Sequence, residues 1–389
     1  MITTLSELKE NNVALVHDWL NGMRGGERCL EVICEWFPKA PIYTLLYDKD
    51  KLSGLINTKE VISSKIQKYP FWRKSYRYYL PFFPGAIEGF DFSRYDLVVS
   101  TSHCVAKSAI TSLDTCHICY CFTPMRYVWG FYREYFENNK FHLLKSLFLK
   151  RYICKLREWD RLTASRVDYF AAISKNVAER IKLFYKREAE VIYPPCDTTF
   201  FSYDQKVEKQ DFYLIVSALV PYKRIDLAIQ AFNKSGKKLK IIGGGTELEK
   251  LRKLANGTIE FLGWLPDETV RSYYRKARAI VFPGKEDLGL VPIEAQACGT
   301  PVIAYGQGGV LETVEEHVAG VFFNGQDSSS LNEAVVRFEQ LNFNPEKLRE
   351  NAEKFSKENF EKHLKHFIIR KYNHFNEKKY SLPKSKKKA

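Results

Sequence analysis

No stretch of this 389-residue chain is apolar for long enough to cross a bilayer as a helix. The first twelve residues are polar and include Glu7 and Glu10, which does not fit a secretory leader. The expectation is a soluble or peripheral protein. Cysteine forms no framework. Nine are scattered, an odd number without disulfide spacings, which suggests reduced thiols in the cytosol. Cys116, Cys119 and Cys121 alternate with His117, Ile118, Tyr120 and Phe122, and no second cysteine pair follows. That pattern reads as a buried strand with small thiols rather than a metal site. Gly243-Gly244-Gly245 lacks the Gly-x-Gly-x-x-Gly spacing with a distal acid, which disfavours a dinucleotide dehydrogenase. Helix-turn-helix, zinc-finger and RNP-like aromatic motifs are missing, so nucleic acid is not the expected partner. Low-complexity sequence is confined to the basic tail at 384–388.

What is present is enough for two cores: 45% of the residues are hydrophobic, and the length suits two domains of ordinary size. The net charge of +14 fits an anionic partner: lipid, nucleic acid or a phosphorylated substrate. Two similar halves alternate strands with helices. In the first, strands are predicted at 13–16, 42–45, 97–100, 118–122 and 169–173, with a helix over 27–37. In the second, strands are predicted at 212–216, 239–242, 260–266, 279–282 and 301–304, with a helix over 225–233. This alternation implies an α/β protein of parallel sheets with helices on both faces. Expected boundaries are 1–200, 207–358 and 359–389, with the link at 193–197 and 202–210 and an amphipathic stretch at 351–375.

Glu286 and Glu294 stand eight apart in a stretch that reads as strand, glycine loop (Gly284, Gly289), then a helix with Pro292 in its first turn. Glu294 is expected in that first turn, near an anion-favouring helix N-terminus. Lys223 and Arg224 follow a strand and start a helix, where basic residues oppose the dipole unless an anion is present. Gly25-Gly26 opens the first-half helix, with backbone N–H groups free to meet phosphate. Together with Gly263-Trp264-Leu265-Pro266 and Ala297-Cys-Gly-Thr-Pro301, these segments resemble the donor site of retaining glycosyltransferases of family 4.

The resemblance implies a GT-B fold: two facing Rossmann-like domains with an interdomain cleft, an acceptor-binding N-domain, a donor-binding C-domain and a C-terminal helix returning to the N-domain. It implies Lys223, Glu286 and His103 as catalytic residues. It implies donor contacts from Gly25, Gly26, Arg126, Lys223, Arg224, Gly243, Leu265, Glu286, Leu288, Gly289, Leu290 and Glu294, with Glu286 on the sugar hydroxyls and Glu294 on the ribose diol. No metal and no cofactor beyond the nucleotide sugar is implied. Two positions depart from the family pattern. Ala218 stands where many members carry arginine, and Phe122 stands where they commonly carry a histidine. His103 is the first substitute for that histidine and His17 the next; Trp264 fits either the base-contacting loop or the core. His17-Asp-Trp-Leu, Thr123-Pro-Met-Arg-Tyr and Tyr193-Pro-Pro look most like bacterial mannosyltransferases of O-antigen and polysaccharide assembly, which implies GDP-mannose and a lipid-linked or glycan acceptor.

Residues 65–83 interleave five cations with eight aromatics, a mixture that suits the interface of an anionic membrane. A second basic stretch runs from Lys140 to Arg161. The competing reading places the aromatics in the core and the charges on a solvated face. The expectation is a cytoplasmic enzyme held peripherally at the inner face of the plasma membrane. A GT-B-fold nucleotide-sugar 2-epimerase and a non-enzymatic basic binder of membrane or nucleic acid remain as alternatives.

Overall fold

The computed structural model describes residues 1–8, 12–52, 54–129 and 143–381. It divides into two compact units: residues up to Tyr193 together with those from Glu361 onward, and Pro194–Phe360. Among the described residues the first unit holds seven strands: β1 (Val13–His17), β2 (Ile42–Thr44), β3 (Val61–Ser63), β4 (Leu97–Ser102), β5 (Cys116–Cys121), β6 (Tyr169–Ala172) and β7 (Ala189–Val191). They form one parallel sheet in the order β3-β2-β1-β4-β5-β6-β7. The second unit holds β8 (Tyr213–Val216), β9 (Leu239–Ile242), β10 (Ile259–Gly263), β11 (Ile280–Phe282), β12 (Val302–Tyr305) and β13 (Gly320–Phe323), parallel and ordered β10-β9-β8-β11-β12-β13.

Central strands such as β1, β4 and β5 are buried at every position. A parallel sheet covered on both faces favours apolar runs, which residues 13–16 and 97–99 supply. The buried polar residues of β1 and β4 cluster at the carboxyl ends, at His17 and at 100–102. Cys116, Cys119 and Cys121 lie in β5 as buried free thiols, and burial pushes the Cys116 and Cys121 pKa well up. β5 starts and ends earlier than the predicted 118–122, so Phe122 is the first residue past the strand. In both sheets the strand order reverses once, between β1 and β4 and between β8 and β11. In doubly wound sheets, ligands bind outside the carboxyl ends of the strands at this reversal.

The predicted 351–375 segment is two helices, Pro345–Glu353 and Lys357–Ser381. In the longer one Leu364, Phe367 and Ile368 are buried. Its Arg370 bonds Glu190 (2.5 Å), and its Asn373 accepts the Ile2 N–H (2.8 Å), so this part belongs with the first unit. Lys140 and the basic tail at 384–388 lie outside the described residues.

Candidate functional site

At the reversal of the second sheet, β8 runs through Ser217 into a short turn, Pro221–Lys223, and then the helix Ile225–Ser235. Arg224 caps that helix at φ 51 and ψ 38, a left-handed conformation that costs a non-glycine residue about 1 kcal/mol. β11 leads into Gly284, which passes so close to the first loop that a Cβ there would lie 2.9 Å from Lys223 Cα. The two touching loops deliver Lys223 and Glu286 to one point, where Lys223 Nζ bonds Glu286 Oε1. The side chains are only 15% and 17% exposed, so the pair is largely withdrawn from screening water.

Glycines hold this point from two further sides. Gly309 N–H donates to the Glu286 carbonyl (2.9 Å), and a Cβ at Gly308 (φ 80) would lie 2.4 Å from that oxygen. These two residues escaped the sequence reading, although the Gly-x-Gly-Gly run at 306–309 directly follows β12 and signals a close backbone approach. Gly243 stands at φ 130 with room for no side chain, since its Cβ would lie 1.9 Å from Ser217 O.

The other second-unit candidates fall on the same carboxyl edge. Leu288 is buried, Gly289 has φ 94, and Leu290 opens the helix Leu290–Ala297. Glu294 is the fifth residue of that helix, one step beyond the first turn expected for it, because the left-handed Gly289 delays the helix start. Its Oε2 accepts from Tyr274 Oη at 2.9 Å, so Glu294 is tied to Tyr274 whereas Glu286 is tied to Lys223. Arg224 is bidentate to Asp226 (3.1 and 3.3 Å). An acid two residues on thus offsets the base that the dipole argument left to a bound anion. Leu265 follows β10, two strands from β8, and Gly243 N–H donates to Gly263 O (2.7 Å). Trp264 is 80% exposed, which removes the core reading of that ring.

The first unit gathers Gly25, Gly26, His103 and Arg126 at the ends of β1, β4 and β5. Asp18, fully buried, organises the turn that carries His103. Its Oδ2 accepts the N–H groups of His103 (2.6 Å) and Cys104 (2.9 Å), and its Oδ1 those of Val105 (2.5 Å) and Ala106 (2.7 Å). Burial pushes the Asp18 pKa up, against the pull of these amides. His103 Nδ1 lies 3.1 Å from the same Oδ2. Burial, with the charges of Arg126 and Arg24, holds the His103 pKa near 3. A neutral imidazole that donates from Nδ1 presents Nε2 as a hydrogen-bond acceptor. A pKa near 3 leaves it a weak base and fits it to hold a hydroxyl rather than to take its proton.

His17 Nδ1 pairs with Thr101 Oγ1 (2.7 Å), and its buried Nε2 has no hydrogen-bond partner among the described residues. Phe122 packs against both histidines, its ring 6.4 Å from His17 and 6.3 Å from His103, which lie 6.2 Å from each other. A Cβ at Gly26 would lie 3.3 Å from Phe122 Cε2. Gly25 and Gly26 open the helix Gly25–Trp36, whose first turn carries the buried Glu27, pushed up to about 7 by burial. Asp18 and Glu27 also escaped the sequence reading. Asp18 sits beside His17, but nothing in the pattern shows that one carboxylate takes four amides.

The depressed histidine has a measurable consequence. An unfolded imidazole binds its proton near pH 6.5. His103 therefore contributes stability that is fully present above 6.5 and is lost as the pH falls toward about 3. His103→Gln is expected to lose correspondingly less stability than wild type over this range in urea titrations. Equal losses would show that His103 titrates normally.

Residues 198–355 match the family model described as "Glycosyl transferases group 1". The match lies wholly within the second unit. An uncharacterized glycosyltransferase of Methanocaldococcus jannaschii is 30% identical to the chain over 225 residues, which are 56% of this chain and 62% of that protein. A GDP-mannose-dependent alpha-(1-6)-phosphatidylinositol monomannoside mannosyltransferase of Mycolicibacterium smegmatis is 33% identical over 138 residues, 31% of this chain and 36% of its own length. The chain thus spans less than two thirds of the length of these curated relatives. The solved structure of Anabaena HepE in complex with UDP-glucose aligns with a TM-score of 0.63 at 16% identity, covering 95% of this chain and all of that one. Likeness at that identity carries the fold alone: parallel-sheet α/β units of the GT-B class.

Proposed function

We propose that this protein is a retaining glycosyltransferase that moves mannose from GDP-mannose to a lipid-linked or polysaccharide acceptor of the O-antigen type. The reading rests on the Lys223–Glu286 pair, clamped by glycine contacts at the strand reversal of a glycosyl transferase domain. A nucleotide sugar leaves a diphosphate behind, so its site needs fixed positive charge where negative charge develops. Lys223 and Arg224 take that role. Glu286 orients the sugar hydroxyls, Glu294 holds the ribose diol, and the backbone at Leu265 meets the base. The N–H groups of Leu288, Gly289 and Leu290 are assigned to the phosphates at a helix N-terminus, while Gly243, whose N–H is bonded to Gly263 O, is assigned to the close backbone approach beside them.

In the transfer, the bond from the sugar C1 to the phosphate oxygen breaks and a bond from C1 to the acceptor oxygen forms on the same face. The acceptor's hydroxyl proton passes to an oxygen of the leaving phosphate. The scheme calls for no metal and no further cofactor. GDP-mannose is supported by the mycolicibacterial relative, a GDP-mannose-dependent mannosyltransferase, while the HepE complex with UDP-glucose offers the competing base.

The donor is tested by a thermal-shift panel of GDP-, UDP-, ADP- and dTDP-sugars. A hundredfold excess over Kd adds about 2.7 kcal/mol, which raises the melting of a domain this size by about 5–10 °C. GDP-mannose is expected to give the largest shift. A larger shift with a UDP-sugar would replace the donor, and no shift with any of the four would overturn the nucleotide-sugar reading.

A further inference from the structure

The aromatic and basic segment of the first unit divides between the two readings the sequence left open. Tyr76, Leu80 and Phe83 are buried with Ile66 and Ile87 in the core around Trp19. Phe71, Tyr78 and Phe82 are instead 82%, 79% and 53% exposed. Phe71 stands at φ 54 and ψ 22, a left-handed conformation that is unfavourable for an aromatic residue. The backbone is thus strained around a ring that gains almost no burial inside the protein.

Beside these rings lies a groove of about 560 Å³, lined by Ile62, Ile66, Tyr69, Phe82 and Phe90. On its wall Gly85 has open space where a Cβ would stand. Lys65 lies on the same groove, and Lys68, Arg73 and Arg77 are exposed in the same segment. The sequence has no acid from 61 to 87. Asp48 and Asp50 approach from another loop, and both engage Arg73 (3.3 and 3.6 Å). Among the described residues no helix is long and apolar enough to cross a membrane. Attachment through this face would therefore be to a surface.

We infer that this face docks the protein on a bilayer rich in anionic lipid. Phe71, Tyr78 and Phe82 sit at headgroup depth, the cations meet lipid phosphates, and the groove takes one hydrocarbon chain. Aromatic rings favour this depth because one layer serves both their apolar faces and their polar edges. Each nearby cation adds about 1 kcal/mol on an anionic leaflet. The inference goes beyond the donor reading and is tested without donor, so either can fail while the other stands.

The test is co-sedimentation of the full chain with phosphatidylcholine vesicles, with and without phosphatidylglycerol. Wild type is expected to sediment only with the anionic vesicles. The Phe71→Ser/Phe82→Ser variant is expected to bind about tenfold more weakly or less, with an unchanged melting temperature, because both rings are exposed. Lys65→Glu/Lys68→Glu is expected to lose the preference for phosphatidylglycerol. Wild-type sedimentation of both variants would overturn the inference. So would a dimer in light scattering that Phe71→Ser/Phe82→Ser abolishes, which would assign the face to a second copy of the chain.

Discussion

Lys223→Met and Glu286→Gln are each expected to lose about a hundredfold in sugar transfer, with the fold intact. Removing one charge aimed at a developing anion costs about 3 kcal/mol of transition-state stabilisation, which is that factor in rate. Both residues stand on loops at the carboxyl edge of the second sheet, and the glycine contacts that shape those loops involve no side-chain atom of Lys223 or Glu286. Neither substitution therefore disturbs the strands. The loss should fall on kcat for Lys223→Met, because the charge on the departing diphosphate grows only as the bond breaks. The double variant sharpens the test. Because Lys223 and Glu286 bond each other, each positions its partner as well as the substrate. Residues acting as a unit are not additive, so the double variant is expected to cost little more than either single one. Near-wild-type turnover in either single variant would remove the pair from the chemistry, and full additivity would show two independent contacts.

Much of this site was legible because its parts are local. An apolar run followed by a turn residue and then a charge marks a strand and a charged loop, and that holds for β8 with Pro221 and Lys223 and for β11 with Gly284 and Glu286. What escaped was non-local or weakly patterned. β3 and β7 are three-residue edge strands without a fully buried residue, so neither shows a continuous apolar run. β13 begins with Gly320, whose Cβ would lie 2.0 Å from Val302 O; the glycine that permits the pairing also disguises the strand. Glu294 fell one step out of register because the helix start depends on the φ of Gly289, which residue identity alone leaves open. Gly308 and Asp18 matter through what the fold brings to them: a carbonyl from another loop in one case, four amides from another strand end in the other.

That last arrangement predicts the largest effect on stability. Asp18→Asn is expected to destabilise the first unit by about 3–5 kcal/mol, a large part of the 5–15 kcal/mol available to a typical domain. All four backbone donors from His103 to Ala106, and His103 Nδ1 as well, converge on the two carboxylate oxygens. An amide replaces one acceptor with an NH2 that faces N–H groups, leaving buried donors unsatisfied with no water to take them. The turn that presents His103 should then loosen, and transfer should fall together with stability. His103→Gln separates the two consequences. Its side chain is 29% exposed and leaves the four amide bonds in place, so it is expected to keep most of the stability while losing the imidazole. Chemical denaturation of both variants, followed through the first unit, checks this. If Asp18→Asn unfolds at the wild-type midpoint, the carboxylate is not what holds the turn.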